Sequence, residues 1–377
     1  MSVEIKQIPA TPRALKQFLE FGIKHYEGNN CYVPPLISDE INTLNPKVNP
    51  AFDFCESAYW MAYRNGKPVG RIAGIINNVV NERTGHKEVR FGYVEFIDDV
   101  EVADALFATV EKWGKDKGMT SMVGPLGFTD LDNEGMLIEG FDRVATMATI
   151  YNYPYYPTHV ERLGFTKDAD WVEFFIKIPT EIPEKMRRIS DIVRKRFGLD
   201  TVELKSRKEL KEKYGQKLFQ VINEAYDQLY GYSPLTKKQI DYYINMYLGI
   251  ISLDSVCVIV DKDDNLVGLG LSMPSLSKAL QKSKGKFFPF GWYHMLKALK
   301  CKSNDIVDLL LVAIKPEYQG KGVNALLFEY MIPRYNKLGF KGAESNPELE
   351  TNANVQAQWG YFDYEQHKRR RSFRKEI

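Results

Sequence analysis

The residues best placed to do chemistry form one segment, Asp308-Leu-Leu-Leu-Val-Ala-Ile-Lys-Pro-Glu-Tyr-Gln-Gly-Lys-Gly-Val-Asn324. It reads as an apolar strand, a Pro-Glu turn, a Gly-rich loop and the start of a helix. That layout suits an anion. Gly320 and Gly322 let the backbone approach a ligand and adopt positive φ, while the N–H groups and dipole of the following helix favour bound phosphate. The plain alternative is a tight strand-to-helix turn with no ligand. Neither the GxxxxGK[ST] loop nor GxGxxG fits the spacing.

The elements around this segment occur twice. Tyr59 to Tyr63 and Val69 to Ile76 flank Arg64-Asn65-Gly66-Lys67, a strong hairpin signal. Val256 to Val260 and Leu266 to Met273 flank Asp261 to Asp264 in the same way, so that Gly70 matches Gly268. Each hairpin precedes a strand (Phe91 to Ile97; Val307 to Ile314), then a helix (Val102 to Lys117; Val323 to Leu338), then a glycine, Gly118 or Gly339. Two copies of one mixed α/β unit are expected. The first spans 1–180 and the second 200–377, with 181–199 as a basic helical connector. The second copy carries an insertion within Pro274 to Ser303.

Composition bounds the class. The chain has 377 residues, with 51 basic against 49 acidic side chains and 44% apolar residues, which describes an ordinary globular protein of about two domains. A near-neutral balance argues against a nucleic-acid partner. Cys31, Cys55, Cys257 and Cys301 lie far apart with no CxxC pair, so neither a disulfide framework nor a zinc knuckle is expected. With five histidines, no metal is expected either. No run reaches the ~18 apolar residues of a spanning helix, and cytoplasm is the expected address.

Pro316-Glu-Tyr-Gln319-Gly320-Lys321-Gly322, between an apolar strand and a helix, resembles the pyrophosphate loop of the GNAT superfamily of acyl-CoA N-acyltransferases, [R/Q]-x-x-G-x-[G/A]. Gln319 and Gly322 match that pattern, and Asn324 stands where Gly or Ala is usual. Phrases spread along the chain resemble the bacterial ceramide synthase-like branch of tandem GNAT proteins. They include Tyr32-Val-Pro-Pro-Leu36, Gly124-Pro-Leu-Gly-Phe128, Tyr151-Asn-Tyr-Pro-Tyr-Tyr156 and Pro289-Phe-Gly-Trp292. The resemblance implies two tandem GNAT-like domains with mixed central sheets, and an acyl-CoA co-substrate, acetyl or longer, held by Gln319, Gly320, Lys321, Gly322, Val323 and Asn324. It extends to a lipidic long-chain amine as acceptor.

Transfer to an amine sets further requirements. In the family the strand before the loop splays from its neighbour, which implies that backbone N–H groups of Val312, Ala313 and Ile314 hold the oxyanion. An amine of pKa ~10 needs a base. Glu344 and Glu350 are the candidates, with a solvated turn as their plain alternative. The helix beginning near Asn352 should bring an aromatic hydroxyl to the coenzyme sulfur. Where many members carry tyrosine this chain has Trp359, so Tyr361 is the candidate acid, or else a core residue.

In the first unit the loop position reads Phe96-Ile-Asp98-Asp99-Val-Glu101. Carboxylates there repel a pyrophosphate and cap a helix instead, so this unit is expected to shape the acceptor side. Its stretch Gly124 to Tyr156 carries Asp130, Asp132, Glu134 and four tyrosines, fitting either a cleft for a cationic amine or a loop packed down by its own rings. His159 is nearby, with no role required. The basic, aromatic insertion 282–302 reads as a peripheral membrane contact, as a lid, or as a helix docked on the sheet. The run His367 to Lys375 reads as a closing strand whose arginines face solvent or the coenzyme phosphates.

The leading function is therefore acyl transfer from CoA to an amine. A tRNA-dependent peptidyltransferase and a non-catalytic CoA-ester or lipid-binding protein are the alternatives. Oligomeric state is not legible.

Overall fold

Asn65 and Gly66 take positive φ, 54° and 72°, the primed turn whose twist suits a two-residue hairpin. They join the strands Cys55–Arg64 and Lys67–Asn77. The second hairpin joins Val256–Val260 to Leu266–Pro274, with Asp264 at φ 62°. These features belong to a computed structural model that describes residues 2–248, 251–300 and 304–377. Cys301 and the end of the 282–302 segment lie outside the described residues.

The repeat continues as the sequence suggests. The strands Glu88–Phe96 and Ile306–Ile314 lead to the helices Val100–Asp116 and Asn324–Leu338. Gly118 and Gly339, at φ 79° and 88°, turn the chain after each helix. Register makes the two copies comparable residue by residue: Gly70 pairs with Phe96, and Gly268 with Ile314. One residue on, Ile97 N–H donates to Val69 and Lys315 N–H to Val267, at 3.1 and 2.9 Å. Phe96 and Ile314 thus hold equivalent positions.

The chain forms two units. Unit 1 uses the chain up to Val172 and adds Leu276–Met295 and His367–Ile377. Its sheet runs Glu4–Ile8, Cys55–Arg64, Lys67–Asn77, Glu88–Phe96, Ser121–Gly124 and then the C-terminal strand, where Phe373 lies opposite Gly124. Alternation sends Trp60 and Ala62 to one face and Tyr59 and Met61 to the other. The helix Val100–Asp116 buries Val102, Leu106 and Val110 on the first face, and the helix Pro12–His25 buries Leu15 and Phe18 on the second.

The basic run closes this sheet, as expected of a strand, but its arginines do not behave as expected. Arg371 Nε donates to Asp170 at 2.8 Å, Arg374 Nε to Asp168 at 2.7 Å, and Arg370 is fully buried, donating to the Ile150 carbonyl. Arg371 and Arg374 are about a quarter exposed, and each of the three is engaged by a protein acceptor rather than left free for a coenzyme. Acidic residues distant in sequence claim Arg371 and Arg374, and a backbone carbonyl takes Arg370.

Unit 2 comprises Glu173 to Ser275 and Leu296 to Gln366. Gly342–Ser345 runs antiparallel to the end of the strand Thr166–Lys177 and parallel to Ile306–Ile314, which pairs in turn with Leu266–Pro274. The helix Asn324–Leu338 buries Ala325, Leu326, Leu327 and Met331, with Leu327 Cδ2 filling the space beside Gly270. The connector forms the helix Glu184–Phe197, tied to Asn324–Leu338 by Arg194 and Glu329 at 2.8 Å.

Candidate functional site

The helix Asn324–Leu338 starts without a side-chain cap, because Val323 stands at its N-cap. Its first turn closes through Ala325 N–H to Gly322 O and Leu326 N–H to Val323 O, both 3.0 Å. Among the described residues no hydrogen bond of good geometry engages the five preceding N–H groups, of residues 320 to 324, which lie in the turn leading into the helix. An uncapped helix start with a run of amides left open can receive an anion.

The two glycines serve different ends. Gly320, at φ 70°, has nothing within 4 Å of where a Cβ would stand, so its backbone is open. At Gly322, φ 83°, a Cβ would lie 2.8 Å from Ile189 Cγ2 of the helix Glu184–Phe197. Gly322 is therefore demanded by packing as well as by backbone conformation. Gln319 Nε2 donates to the Ile314 carbonyl at 2.9 Å, fastening the loop to the strand end. Lys321 is exposed, its ammonium 5.6 Å from the Phe197 ring and 5.9 Å from Tyr318, and it meets no carboxylate among the described residues.

Beside the loop the two parallel strands part. Pairing of Ile306–Ile314 with Gly342–Ser345 ends at Leu309 opposite Ser345. Asn346 Nδ2 then caps the Leu310 carbonyl at 2.7 Å, and Tyr226 donates to the Val312 carbonyl at 3.0 Å. Because Lys315 N–H points to Val267, strand alternation directs Ala313 N–H toward Leu269 and turns those of Val312 and Ile314 into the splay. Of the three expected oxyanion residues, the geometry thus leaves two available.

Unit 1 closes the same positions with its own side chains. The Tyr156 hydroxyl accepts Phe96 N–H at 3.0 Å, the bond equivalent to Ile314 N–H. Asp99 caps the helix Val100–Asp116 through Val102 N–H at 3.1 Å and takes both Arg64 nitrogens at 2.7 and 2.9 Å. The Arg64 hydrogen bonds hold the Asp99 carboxyl at about 2. A paired carboxylate thus already occupies that helix start. The stretch Gly124 to Tyr156 is also packed inward: Tyr151 and Tyr156 are buried, and Tyr26 and Tyr156 donate to Glu95 at 2.5 and 2.8 Å. Asp130, Asp132 and Glu134 remain half-buried near Arg90, burial pushing Asp130 up to about 6. His159 pairs with Asp98 at 2.9 Å.

Around the splay of unit 2, the acid and base candidates are distributed unevenly. Glu344 lies opposite Asp308 in the parallel register, one residue before the strands part. Glu350 lends its carbonyl to Gln356 at 3.3 Å. Asn352 caps the short helix Ala353–Gln356, accepting Val355 N–H at 3.4 Å. Tyr361 is half-buried, with Lys185 Nζ 4.9 Å from its ring.

Sequence reasoning passed over Glu348. Trp359 Nε1 donates to it at 3.0 Å, and burial pushes its carboxyl up to about 8 despite that hydrogen bond. A buried indole needs an acceptor, so a tryptophan in place of the usual tyrosine was itself a signal toward a nearby carboxylate. Asn324 Nδ2 donates to Gln358 at 3.0 Å, joining the helix start to the residue before Trp359. The unusual asparagine at the end of the loop thus braces Trp359 in place. Among the described residues no group of His, Cys, Asp and Glu could hold a metal ion.

No family model matches the chain. Protein YghO of Escherichia coli (strain K12) is 27% identical over 368 residues, which span 96% of this chain and 93% of that protein. Bacterial ceramide synthase of Caulobacter vibrioides (strain NA1000 / CB15N) is 26% identical over 360 residues, 93% of this chain and 92% of that protein. Among solved structures, a tandem GNAT protein from the clavulanic acid biosynthesis pathway, without AcCoA, superposes with a TM-score of 0.57 at 12% identity, covering 100% of this chain and 98% of its own. A GCN5-related N-acetyltransferase from Sphaerobacter thermophilus gives 0.52 at 11% identity, covering 99% and 95%.

Proposed function

From a chain that has the tandem GNAT fold and is related over nearly its whole length to YghO and bacterial ceramide synthase, we propose an acyl-CoA-dependent N-acyltransferase whose acceptor is a lipidic long-chain amine. The observation that carries this reading is the contrast between the units. The strand-end amide and helix start closed by Tyr156 and Asp99 in unit 1 are open in unit 2, at Ile314 and residues 320 to 324.

In this reading the amides of 320 to 324 receive the coenzyme pyrophosphate, and Lys321 adds charge. The acceptor nitrogen attacks the thioester carbonyl carbon. Negative charge developing on that oxygen meets the N–H groups of Val312 and Ile314, donors already oriented before reaction begins. The attacking nitrogen loses a proton to a carboxylate, the C–S bond breaks, and the departing thiolate takes up a proton. Glu348, in its ionised form, is the carboxylate assigned to the first transfer: Trp359 Nε1 fixes it at 3.0 Å, and burial raises its affinity for a proton. Glu344 and Glu350 flank it in sequence, and Tyr361 is assigned to the thiolate. The lipidic acceptor is supported by the name of one relative, bacterial ceramide synthase.

The test is thiol release on mixing the full chain with acetyl-CoA or palmitoyl-CoA and a panel of short, polar and long-chain amines. Release that needs both partners and is fastest with a long-chain amine is expected. No release with any pair overturns the transferase reading, and release confined to short amines overturns the lipidic acceptor.

A further inference from the structure

The insertion carries a surface that transfer chemistry does not use. From Ser277 to Lys300 the sequence has six lysines and neither Asp nor Glu. Its first part packs firmly on unit 1. Ser277 donates to the Ala145 carbonyl at 3.0 Å, and Gln281 to the carbonyls of Asn30 and Tyr32 at 2.8 and 3.0 Å. Ile37 N–H donates to Gly285 O at 2.9 Å, and Lys284 pairs with Glu27 at 2.8 Å. Leu276, Ala279 and Leu280 are buried beneath.

The next residues point the other way. Phe288 and Phe290 are 72% and 69% exposed, and Phe287, Trp292 and Tyr293 are 42%, 43% and 51% exposed. The tip is nevertheless ordered by its own bonds: Trp292 N–H donates to Phe287 O and its indole to Pro289 O, both 2.9 Å. Gly291 and Met295 are the buried residues of this turn. Lys282 and Lys286 flank the rings, are exposed, and meet no carboxylate among the described residues.

We infer that Phe287 to Tyr293 is a membrane-interface wedge, seating its rings at the headgroup boundary of an anionic bilayer while Lys282 and Lys286 meet the lipid phosphates. The physics favours lipid over a packed lid. Five aromatic rings held out by a braced loop keep an unfavourable water contact that an interface removes. Trp and Tyr prefer the headgroup level, and lysines without competing acids supply the charge complement. One apolar insertion alone binds weakly, so rings and lysines are needed together. The inference stands apart from the transferase reading, since it uses neither the loop nor the splay.

The experiment is co-sedimentation of the full chain with phosphatidylcholine vesicles, with and without ~30% phosphatidylglycerol, at about 50 and about 500 mM NaCl. Binding to the anionic vesicles at the lower salt, weakened at least tenfold at the higher, is expected. Phe288→Ser with Phe290→Ser should weaken it about tenfold at unchanged melting temperature, because both rings are largely exposed. Lys282→Gln with Lys286→Gln should abolish the preference for anionic lipid. Trp292 emission should shift to the blue on vesicle addition, and Trp292→Phe should remove that shift, because Trp60, Trp171 and Trp359 are buried and Trp113 is packed against the core of unit 1, its ring 5.9 Å from Trp60. No binding at the lower salt overturns the inference, as does binding indifferent to the phenylalanine pair. So does concentration-dependent self-association, seen by sedimentation velocity without vesicles and lost in that pair, which would assign the face to a second copy of the chain.

Discussion

The Tyr156 hydroxyl sits 3.0 Å from Phe96 N–H and accepts it, while also donating to Glu95 at 2.8 Å. One side chain thereby occupies a backbone position that its counterpart, Ile314, leaves open. Tyr156→Phe would strand a buried amide and remove a partner from a buried carboxylate, each costing about 1–3 kcal/mol. The expected outcome is a lower melting temperature with CoA affinity unchanged, read by calorimetry on one preparation. A loss of CoA affinity matching the loss of stability would place the coenzyme in unit 1.

Gly320 separates the ligand role of the loop from its folding role, because its missing Cβ faces open space. Asn and Asp both tolerate positive φ, so the two variants share the same backbone strain. Gly320→Asp should weaken CoA at least tenfold by setting a carboxylate against the diphosphate, whereas Gly320→Asn should stay within a few fold. Equal affinities for the two by isothermal titration would leave the loop as a plain turn.

Gly322 answers to a different neighbour. Gly322→Ala adds a methyl 2.8 Å from Ile189 Cγ2 and demands φ 83° of an alanine. A destabilisation of about 2 kcal/mol is expected from overpacking and strain together. Adding Ile189→Ala should recover part of it by removing the clash, a sign that a double-mutant cycle reads directly. Additive losses would mean that the helix Glu184–Phe197 does not press on the loop.

Glu348 makes stability depend on pH. Its folded value, about 8, lies above its ordinary 4.5, so the folded chain holds a proton that the unfolded chain has released. Stability is therefore lost as pH rises from about 4.5 and the loss is complete above 8, reaching on the order of 3 kcal/mol at pH 7. Glu348→Gln keeps an acceptor for Trp359 and cannot ionise. Its melting temperature should exceed that of the parent by several degrees at pH ~8.5 and converge with it near pH ~4.5, while acyl transfer falls at least a hundredfold. A constant gap across that range would show that Glu348 titrates normally.

Much of this was legible in the residues alone. Asn65-Gly66, the apolar runs Tyr59 to Tyr63 and Val69 to Ile76 on either side of it, and glycines 118 and 339 are local instructions. Backbone sterics and period-two or period-3.6 burial act over a few neighbours and need no partner from afar. The repeat, the Gly-rich loop at a helix start and the acidic cap at Asp99 were equally readable, since a turn, a cap and a helix dipole are short-range. What only the tertiary structure decided depends on residues brought together across long stretches of chain. Asp170, Asp168 and Glu88 take the arginines of the last strand, because a charge buried in a sheet must find its opposite wherever the fold supplies it. Ile189 gives Gly322 a packing reason that no motif contains, and Tyr156 reaches Phe96 from 60 residues away. Glu348 emerged over Glu344 and Glu350 for the same reason: three glutamates within seven residues are alike on paper, and the Trp359 indole donating to one of them, with the desolvation of its carboxyl, sets it apart.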